Sequence, residues 1–187
     1  MKKIIPVYTT SSITDNTYIF IRIEQGQEIG GDLCYYGSQW LNVGESWNNY
    51  QKWHNYYYMV FQFYLKLKPV KKCLCKVFCE YIPIEPAALT PCWIFSPVDI
   101  KTYTYNKFKA ASKSGFGGTL AWIRINQWNT WDITTNINEQ INRGRRPQNL
   151  AVAIVQDWFY ETGYRVYSFR SSHYKDRAYR PYLEVEY

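Results

Sequence analysis

The chain has 187 residues, is 47% hydrophobic and 19% aromatic, and carries a formal net charge of +7. Its hydrophobic content excludes an intrinsically disordered chain, and its length suits one β-sandwich but not two full domains. The 19 Tyr and 8 Trp exceed what one core holds, and such rings favour surfaces that are apolar on one side and wet on the other. We therefore expect a single domain, residues 1–187, with an extensive contact surface.

The N-terminus lacks the apolar core of a secretion signal. Two lysines precede Ile4, Ile5 and Val7, and Pro6 interrupts this short apolar run. Elsewhere, no stretch approaches the length of a membrane span. We expect a protein without a signal peptide or a membrane span, made and kept in the cytoplasm.

The first quarter of the chain predicts two strands and two loops. Apolar and polar residues alternate cleanly over Thr17–Glu24, which predicts a strand with one core face. Gly26–Gly37 is expected to be a loop because it carries two adjacent glycines. A short strand over Trp40–Gly44 is expected next, followed by a polar, aromatic loop over 45–55.

The stretch Tyr56–Lys68 predicts the central strand. One set of alternate positions is entirely apolar: Tyr57, Met59, Phe61, Phe63, Leu65 and Leu67. Side chains of a strand alternate between two faces, whereas a helix would scatter these six around its circumference. A strand of this length needs a facing sheet to bury its apolar side, which indicates a β-sandwich.

The five cysteines are Cys34, Cys73, Cys75, Cys79 and Cys92. An odd number without a signal peptide argues against a disulfide framework. The next predicted strand is CLCKVFCEYIPI (73–84), and Cys73, Cys75 and Cys79 share one of its faces with Val77, which indicates small buried hydrophobes. Two alternatives stay open, a metal site completed by His54 or His173 and a disulfide from Cys92 to one of the three. Their spacing is not that of a zinc knuckle.

The middle of the chain predicts an irregular crossing and two strands. Glu85–Pro97 contains three prolines, which a central strand does not tolerate. Strands are expected over Val98–Phe108 and Leu120–Trp128, with a small-residue turn over Ala110–Gly118 between them.

The spacing of apolar residues then changes from every second to every fourth position, which predicts one short helix near residues 134–143. Three isoleucines recur every four residues: Ile133, Ile137 and Ile141. Thr134 or Thr135 supplies a cap and Gly144 a stop.

The last forty residues predict two strands and a closing strand. Leu150–Val155 is apolar on both faces and is expected to be central. Tyr164–Ser172 predicts a second strand, and His173–Arg180 a basic loop. Pro181–Tyr187 is expected to close the chain with Leu183, Val185 and Tyr187 facing inward. We predict an all-β fold, a jelly-roll-like sandwich of two antiparallel sheets with one short helix.

Four segments in this order resemble the carbohydrate-binding-module-like β-sandwich domains called DNRLRE domains, which are appended to secreted bacterial and archaeal proteins. The segments are YYGSQWLNVGES (35–46), YYYMVFQFYLKLKPVKKCLCKVFCEYIPI (56–84), WDITTNI (131–137), and SFRSS with RPYLEVEY (168–187). The hexapeptide that names the family is absent, and its Ser-Arg-Glu position reads Ser171-Ser172-His173. The resemblance implies the fold more than it implies sugar binding.

A stand-alone, unsecreted sandwich with many Tyr, Trp and Asn residues also resembles single jelly-roll viral capsid proteins. Its bias toward Tyr, Ile and Asn is similar to that of proteins from viruses of thermophilic archaea. This resemblance implies a non-enzymatic structural subunit of a virion, made in the host cytoplasm, that self-assembles into a large homo-oligomer. Other virion proteins and the packaged nucleic acid are its expected partners.

The candidate contact residues fall into two sets. Exposed rings would bind carbohydrate or a neighbouring subunit, and the candidates cluster in one region: Trp40, Trp47, Tyr50 and Trp53. The second set lies at the exit of the predicted helix and would touch nucleic acid: Arg143, Arg145 and Arg146. A carbohydrate-binding module and a non-specific nucleic-acid-binding protein therefore remain the alternative functions.

Catalysis has little support in the sequence. The two histidines, His54 and His173, lie in predicted loops, and a Ser172 adjacent in sequence does not define the geometry of a nucleophile and its base. No phosphate-binding, metalloprotease or dinucleotide motif is present. We expect neither an enzyme nor a bound cofactor or metal.

Overall fold

A computed structural model of the protein describes residues 2–6, 16–24, 27–35, 39–48, 53–64, 68–82, 87–95, 121–143, 149–155 and 164–187. These ranges contain twelve strands, all of whose pairings are antiparallel, one α-helix and one 3-10 turn. The prediction of an all-β fold with one short helix is confirmed. Its arrangement as the two facing sheets of a jelly roll stays a prediction.

The strands are β1 Lys2–Pro6, β2 Asn16–Glu24, β3 Gln27–Tyr35, β4 Trp40–Asn48, β5 Trp53–Tyr64, β6 Lys72–Tyr81, β7 Ala87–Phe95, β8 Ala121–Ile123, β9 Trp128–Asp132, β10 Asn149–Val155, β11 Tyr164–Arg170 and β12 Tyr182–Glu186. The helix α1 spans Thr134–Asn142, and the 3-10 turn spans Arg177–Tyr179. Neighbouring strands follow the order β1-β12-β6-β11-β4-β5-β10-β7-β8. In addition, β2 pairs with β5 and β3, and β9 pairs with β6.

The strand β5 occupies the middle of this order, as its apolar face predicts. The first part of β5 (53–57) pairs with β4 and the second part (59–64) pairs with β10. Over most of its length, β5 also pairs with β2. Met59, Phe61 and Phe63 are buried, and the rings of the two phenylalanines lie 6.4 Å apart. The predicted direction of these three side chains is confirmed.

The strand β6 contributes the cysteine row of the core. Cys73, Cys75, Val77 and Cys79 are all fully buried, which confirms the predicted shared face. In register, Cys75 stands between Leu183 of β12 and Trp131 of β9, so side chains from three strands meet in one row. Apolar neighbours on both sides explain why small thiols fill these positions.

The three thiols are free, so the alternative of a disulfide from Cys92 to one of them is wrong. Burial, reinforced by the nearby Asp132 carboxylate, raises the pKa of the Cys73 thiol to about 12. Burial also raises the pKa of Cys79 to about 12 and the pKa of Cys75 well above its ordinary value. Since the thiolate is the reactive form, these cysteines are chemically inert in the folded protein.

The segment expected to be a loop over Gly26–Gly37 is instead a strand, β3. The pairing of β2 with β3 shifts register so that residues 30–32 stand opposite Ile21 alone. The two glycines therefore lie in a β-bulge, in which β3 has two more residues than β2. Likewise, the expected loop over 45–55 is largely the end of β4 and the start of β5, which pair as a hairpin.

The expected irregular crossing over Glu85–Pro97 is also wrong, since β7 runs through it. Ile154 and Val155 of β10 pair with Cys92 and Thr90 of β7, respectively. Pro91, which lies between Thr90 and Cys92, therefore has no partner residue on β10. A proline lacks the N–H that a ladder needs, and a bulge removes the requirement for that bond at Pro91.

The predicted strand Leu120–Trp128 is split by a tight turn into β8 and β9. The Asn129 amide holds this turn, because its Nδ2 donates to the carbonyls of Arg124 and Gln127 at 3.0 Å and its Oδ1 accepts from the Arg124 N–H at 2.9 Å. At the tip, Asn126 adopts a φ of 56°, a left-handed conformation that asparagine tolerates.

The predicted helix is confirmed, but its start differs from expectation. Neither Thr134 nor Thr135 is the N-cap, which is Ile133 without a side-chain bond. Instead, the Asp132 carboxylate accepts from the Thr134 N–H at 3.0 Å. The Asn138 side chain then ties the helix to the chain before β6, since it accepts from the Val70 N–H and donates to the Val70 carbonyl.

The remaining C-terminal predictions are confirmed for β10, β11 and β12. β10 lies between β5 and β7, and Leu183 and Val185 of β12 are fully buried. The strand expected over Val98–Phe108, the turn over Ala110–Gly118 and the stop at Gly144 lie outside the described residues. Among the described residues, a search for helices with the length and hydropathy of a membrane span finds none.

The buried thiols predict a loss of stability in alkali. Their pKa values are raised in the folded state, so unfolded thiols ionise first, from about pH 8.5 upward, and only the unfolded state gains from ionisation. The free energy of unfolding should be flat from pH 6 to 8 on this account and fall from pH 8.5 to 10.5. Urea titrations across this range measure it.

The control is Cys75→Ala, which lowers stability at every pH by leaving a small cavity but removes one ionisable thiol. Its stability should therefore fall less steeply with pH than that of the unmodified protein. Equal slopes for the two proteins would contradict the account.

Candidate contact site

A four-stranded section of the structure separates a core face from a second face. Its order is β1-β12-β6-β9, and residues directly opposite one another on paired strands share a face. The core face carries the buried cysteine row of β6. We call the opposite side the outer face, and it carries the other alternate positions of β6, including Lys76 and Phe78.

A β-bulge ends this alternation at the end of β6. Ser168 of β11 pairs with Tyr81 and Phe169 pairs with Cys79, so Glu80 is the extra residue. Beyond the bulge the exposure pattern inverts, with Tyr81 48% exposed and Ile82 9% exposed. Bulges commonly re-aim a side chain, and here the bulged Glu80 meets Arg170.

Arg170 lies at the centre of a group of aromatic rings. Its guanidinium carbon is 4.3 Å from the ring centroid of Phe78, 4.3 Å from that of Tyr174 and 4.2 Å from that of Tyr179. Its Nε donates to the Glu80 carboxylate. A planar cation attracts several ring faces at once, each contact contributing about 0.5–1 kcal/mol at exposed sites and more where water is excluded.

Further rings extend the group on both sides. Trp40, which stands opposite Arg170 in the pairing of β4 with β11, packs edge-on against Tyr174 with centroids 5.3 Å apart. On the other side, Trp128 lies 5.6 Å from Phe78 and 5.1 Å from Tyr182. We call this continuous set the aromatic band: Trp40, Phe78, Trp128, Tyr174, Tyr179 and Tyr182.

The aromatic band is anchored in the protein but open to solvent. Phe78 and Tyr174 are each 8% exposed, whereas Trp40 is 39% and Tyr179 is 36% exposed. Trp128 and Tyr182 are half-buried. Partial burial raises the pKa of the Tyr182 hydroxyl, and the Glu184 carboxylate raises it further.

The segment after β11 holds Tyr174 and Tyr179 in place through a series of short-range bonds. The Ser171 hydroxyl accepts from the His173 N–H, and Asp176 accepts from the Ala178 N–H at the start of the 3-10 turn. Arg180 Nε donates to the Tyr174 carbonyl at 2.8 Å. These bonds make the predicted basic loop a fixed structure, because each ties a side chain to a backbone group.

The sequence-predicted contact residues are spread over the structure. Trp40 belongs to the aromatic band. Trp47 and Trp53 lie on the β4–β5 hairpin rather than in a loop, and Trp47 is seven residues from Trp40, about 23 Å along a strand. Their side chains lie outside the described part of the structure, as does Tyr50 entirely. The structure therefore separates Trp40 from the predicted cluster.

Of the predicted nucleic-acid contacts, Arg143 is described. It is exposed at the end of α1, where its guanidinium lies 4.0 Å from the Glu139 carboxylate one turn earlier. An exposed pair of this kind contributes little to stability. Arg145 and Arg146 lie outside the described residues.

The cysteines and the histidine near the C-terminus form no metal site in the described structure. Within the described residues, which include the three β6 cysteines and His173, no group of three or more His, Cys, Asp or Glu could hold a metal ion. The side chain of His54 is not among them.

Most of the aromatic band was missed by sequence reasoning. Phe78 and Arg170 occupy positions that alternate with core residues, where polar side chains are expected. A large aromatic residue at such a position is the signal that could have indicated a covered or binding outer face. Its ring partners come from β9 and the 171–181 segment, which no local pattern links to β6.

No protein-family model matches this chain, and no match is found among curated proteins.

Substitution of Arg170 should loosen the aromatic band. Arg170→Ala should lower the free energy of unfolding by about 2–3 kcal/mol, because three ring contacts are lost and Glu80 loses its partner. Arg170→Lys should have an intermediate effect, since a lysine keeps the charge but lacks the planar guanidinium. Urea unfolding followed by tryptophan fluorescence measures both.

The matched control is Arg177→Ala, at an exposed arginine of the 3-10 turn, which should change stability by less than about 0.5 kcal/mol. If Arg170→Ala were no more destabilising than this control, the role given to Arg170 would be wrong.

Proposed function

We propose that the protein is a non-enzymatic structural subunit that associates with further copies of itself through the aromatic band. A single jelly-roll capsid subunit of a virion is the kind of protein that fits best. The carrying observation is a surface of pre-positioned, partly exposed rings held around one fixed arginine. Support also comes from the all-β fold and from the 19 Tyr and 8 Trp of the chain.

The composition of the band suits a protein–protein contact. Aromatic residues and arginine are enriched where interfaces are fully desolvated, and they carry much of the binding energy there. Trp40 and Tyr179 already have fixed neighbours, namely Tyr174 for Trp40 and Phe78 for Tyr179. Contacts within the monomer already restrict the movement of these rings. Their association with a partner therefore costs little further conformational entropy.

Carbohydrate binding is the second candidate, and Trp40 is the observation that favours it. A sugar ring stacks on a partly exposed aromatic side chain of fixed orientation, which describes Trp40 beside Tyr174. The two candidates use the same surface but differ in stoichiometry. An assembly subunit buries the band against a copy of itself, whereas a carbohydrate module leaves it open in a monomer.

The test is the mass of the protein in solution, measured by light scattering after size exclusion over a hundredfold range of concentration. The unmodified protein should form oligomers of discrete size. The double variant Trp40→Ala/Tyr179→Ala should shift the dissociation midpoint at least tenfold toward higher concentration, because two ring contacts are removed from each interface.

The matched control is Trp122→Ala. Trp122 lies on β8, is 61% exposed and makes no ring contact with the aromatic band among the described residues. The control should assemble like the unmodified protein. A monomer at all concentrations that binds a soluble polysaccharide, and loses that binding in Trp40→Ala, would reject assembly in favour of the carbohydrate module. A control that dissociates as readily as the double variant would also contradict the proposal.

A further inference from the structure

A second surface lies at one end of the β1-β12-β6 section and is strongly basic. Lys2 stands opposite Glu186, and Glu186 stands opposite Lys72, so one cross-strand row holds two lysines around one carboxylate. The Lys71 N–H donates to the Glu186 carbonyl at 2.8 Å, which places Lys71 at the same end. Neighbouring strands are about 4.8 Å apart, so this row spans roughly 10 Å.

Two more lysines reach this end by contact with one ring. The Lys68 ammonium lies 4.4 Å from the centroid of Tyr187, and the Lys3 ammonium lies 5.9 Å from the same centroid. The N-terminal strand, the segment before β6 and the C-terminal strand are thus brought together. We call these five exposed residues the lysine cluster: Lys2, Lys3, Lys68, Lys71 and Lys72.

Two carboxylates in the described structure, Glu184 and Glu186, offset part of the cluster's positive charge. Glu184 pairs with Lys2 at 2.8 Å and with the neighbouring Lys76 at 3.7 Å, and these cations lower the pKa of its carboxyl. Glu186 offsets one further charge in the row. Lys3, Lys68, Lys71 and Lys72 have no salt bridge among the described residues. Several like charges within a Debye length of about 8–10 Å create a local positive potential that attracts polyanions.

We propose that the lysine cluster binds the phosphate backbone of nucleic acid without reading its sequence. Lys2 and Lys72 stand about 10 Å apart on either side of Glu186, and each can contact a separate phosphate, since the phosphates of one strand recur about every 3.4 Å along the axis of a duplex. Lysine provides point charges suited to such contacts. This inference does not depend on self-assembly.

The test measures the binding of a labelled 30-nucleotide DNA, single-stranded and duplex, by fluorescence anisotropy from 25 to 200 mM salt. The triple variant Lys68→Gln/Lys71→Gln/Lys72→Gln should bind more weakly than the unmodified protein. With duplex DNA, the slope of log K against log salt should fall in magnitude by about 2.7, because about 0.9 counterions are released per lost contact.

The matched control is Arg124→Gln/Lys175→Gln/Arg177→Gln, at three exposed cations outside the cluster. Both triple variants remove three positive charges from the net +7, so they share the same overall charge. The control should keep the slope of the unmodified protein within about 0.5. An equal loss in both variants would show attraction by net charge alone and would overturn the proposal.

A second measurement needs no variant. Acylation of the unmodified protein by an amine-reactive reagent, read by mass spectrometry, should be reduced several-fold by DNA at Lys68, Lys71 and Lys72 but not at Lys175. Absence of DNA binding at 25 mM salt would overturn the proposal. So would binding to vesicles of anionic phospholipid with protection of the same lysines by lipid and none by DNA.

Discussion

The two-faced character of β6 is the constraint on which the rest of the structure depends. Its odd positions, from Cys73 to Cys79, fill the core between β12 and β9. Its even positions lie on the outer face, where Phe78 anchors the aromatic band. A shift of register by one residue would exchange the two sets, placing lysines in the core and thiols in solvent. The same strand therefore fixes the core and the proposed contact surface.

The bulge at Glu80 joins this strand to the arginine that organises the rings. Without the extra residue, the alternation of β6 would continue and Tyr81 rather than Ile82 would face the core. With it, Glu80 reaches Arg170 of the neighbouring strand. An ion pair surrounded by aromatic rings holds a partly exposed surface in one arrangement, which is what a binding surface requires. The bulge is thus a local irregularity that positions the proposed contact surface.

Sequence patterns predicted the elements in which the spacing of apolar residues indicates the type of secondary structure. β2, β5, β6, β10 and β12 follow from alternation or from continuous apolar character, and α1 follows from its four-residue spacing. β3 and β7 were missed because Gly30, Gly31 and Pro91 normally break strands. In the folded protein each lies in a bulge that is defined by the partner strand, and the partner cannot be read from the local sequence.

The aromatic band and the lysine cluster could likewise be predicted from the sequence only in part. Trp40 was predicted as a contact residue, yet the other members of the aromatic band come from β6, β9, the 171–181 segment and β12, far apart in sequence. The lysine cluster likewise combines the N-terminal strand, the segment before β6 and the neighbourhood of Tyr187. Lysines near the start of β6 are visible in the sequence. Their union with Lys2 and Lys3 requires the pairing of β1 with β12.

Hydroxyl-radical footprinting at low and high protein concentration tests the central claim most directly, because it reports the surface that association covers. The account predicts that oxidation of Trp40 and Tyr179 falls several-fold as the protein associates, while oxidation of Trp122 stays constant. If all three residues were oxidised equally at both concentrations while the mass rises, the aromatic band would not be the assembly surface.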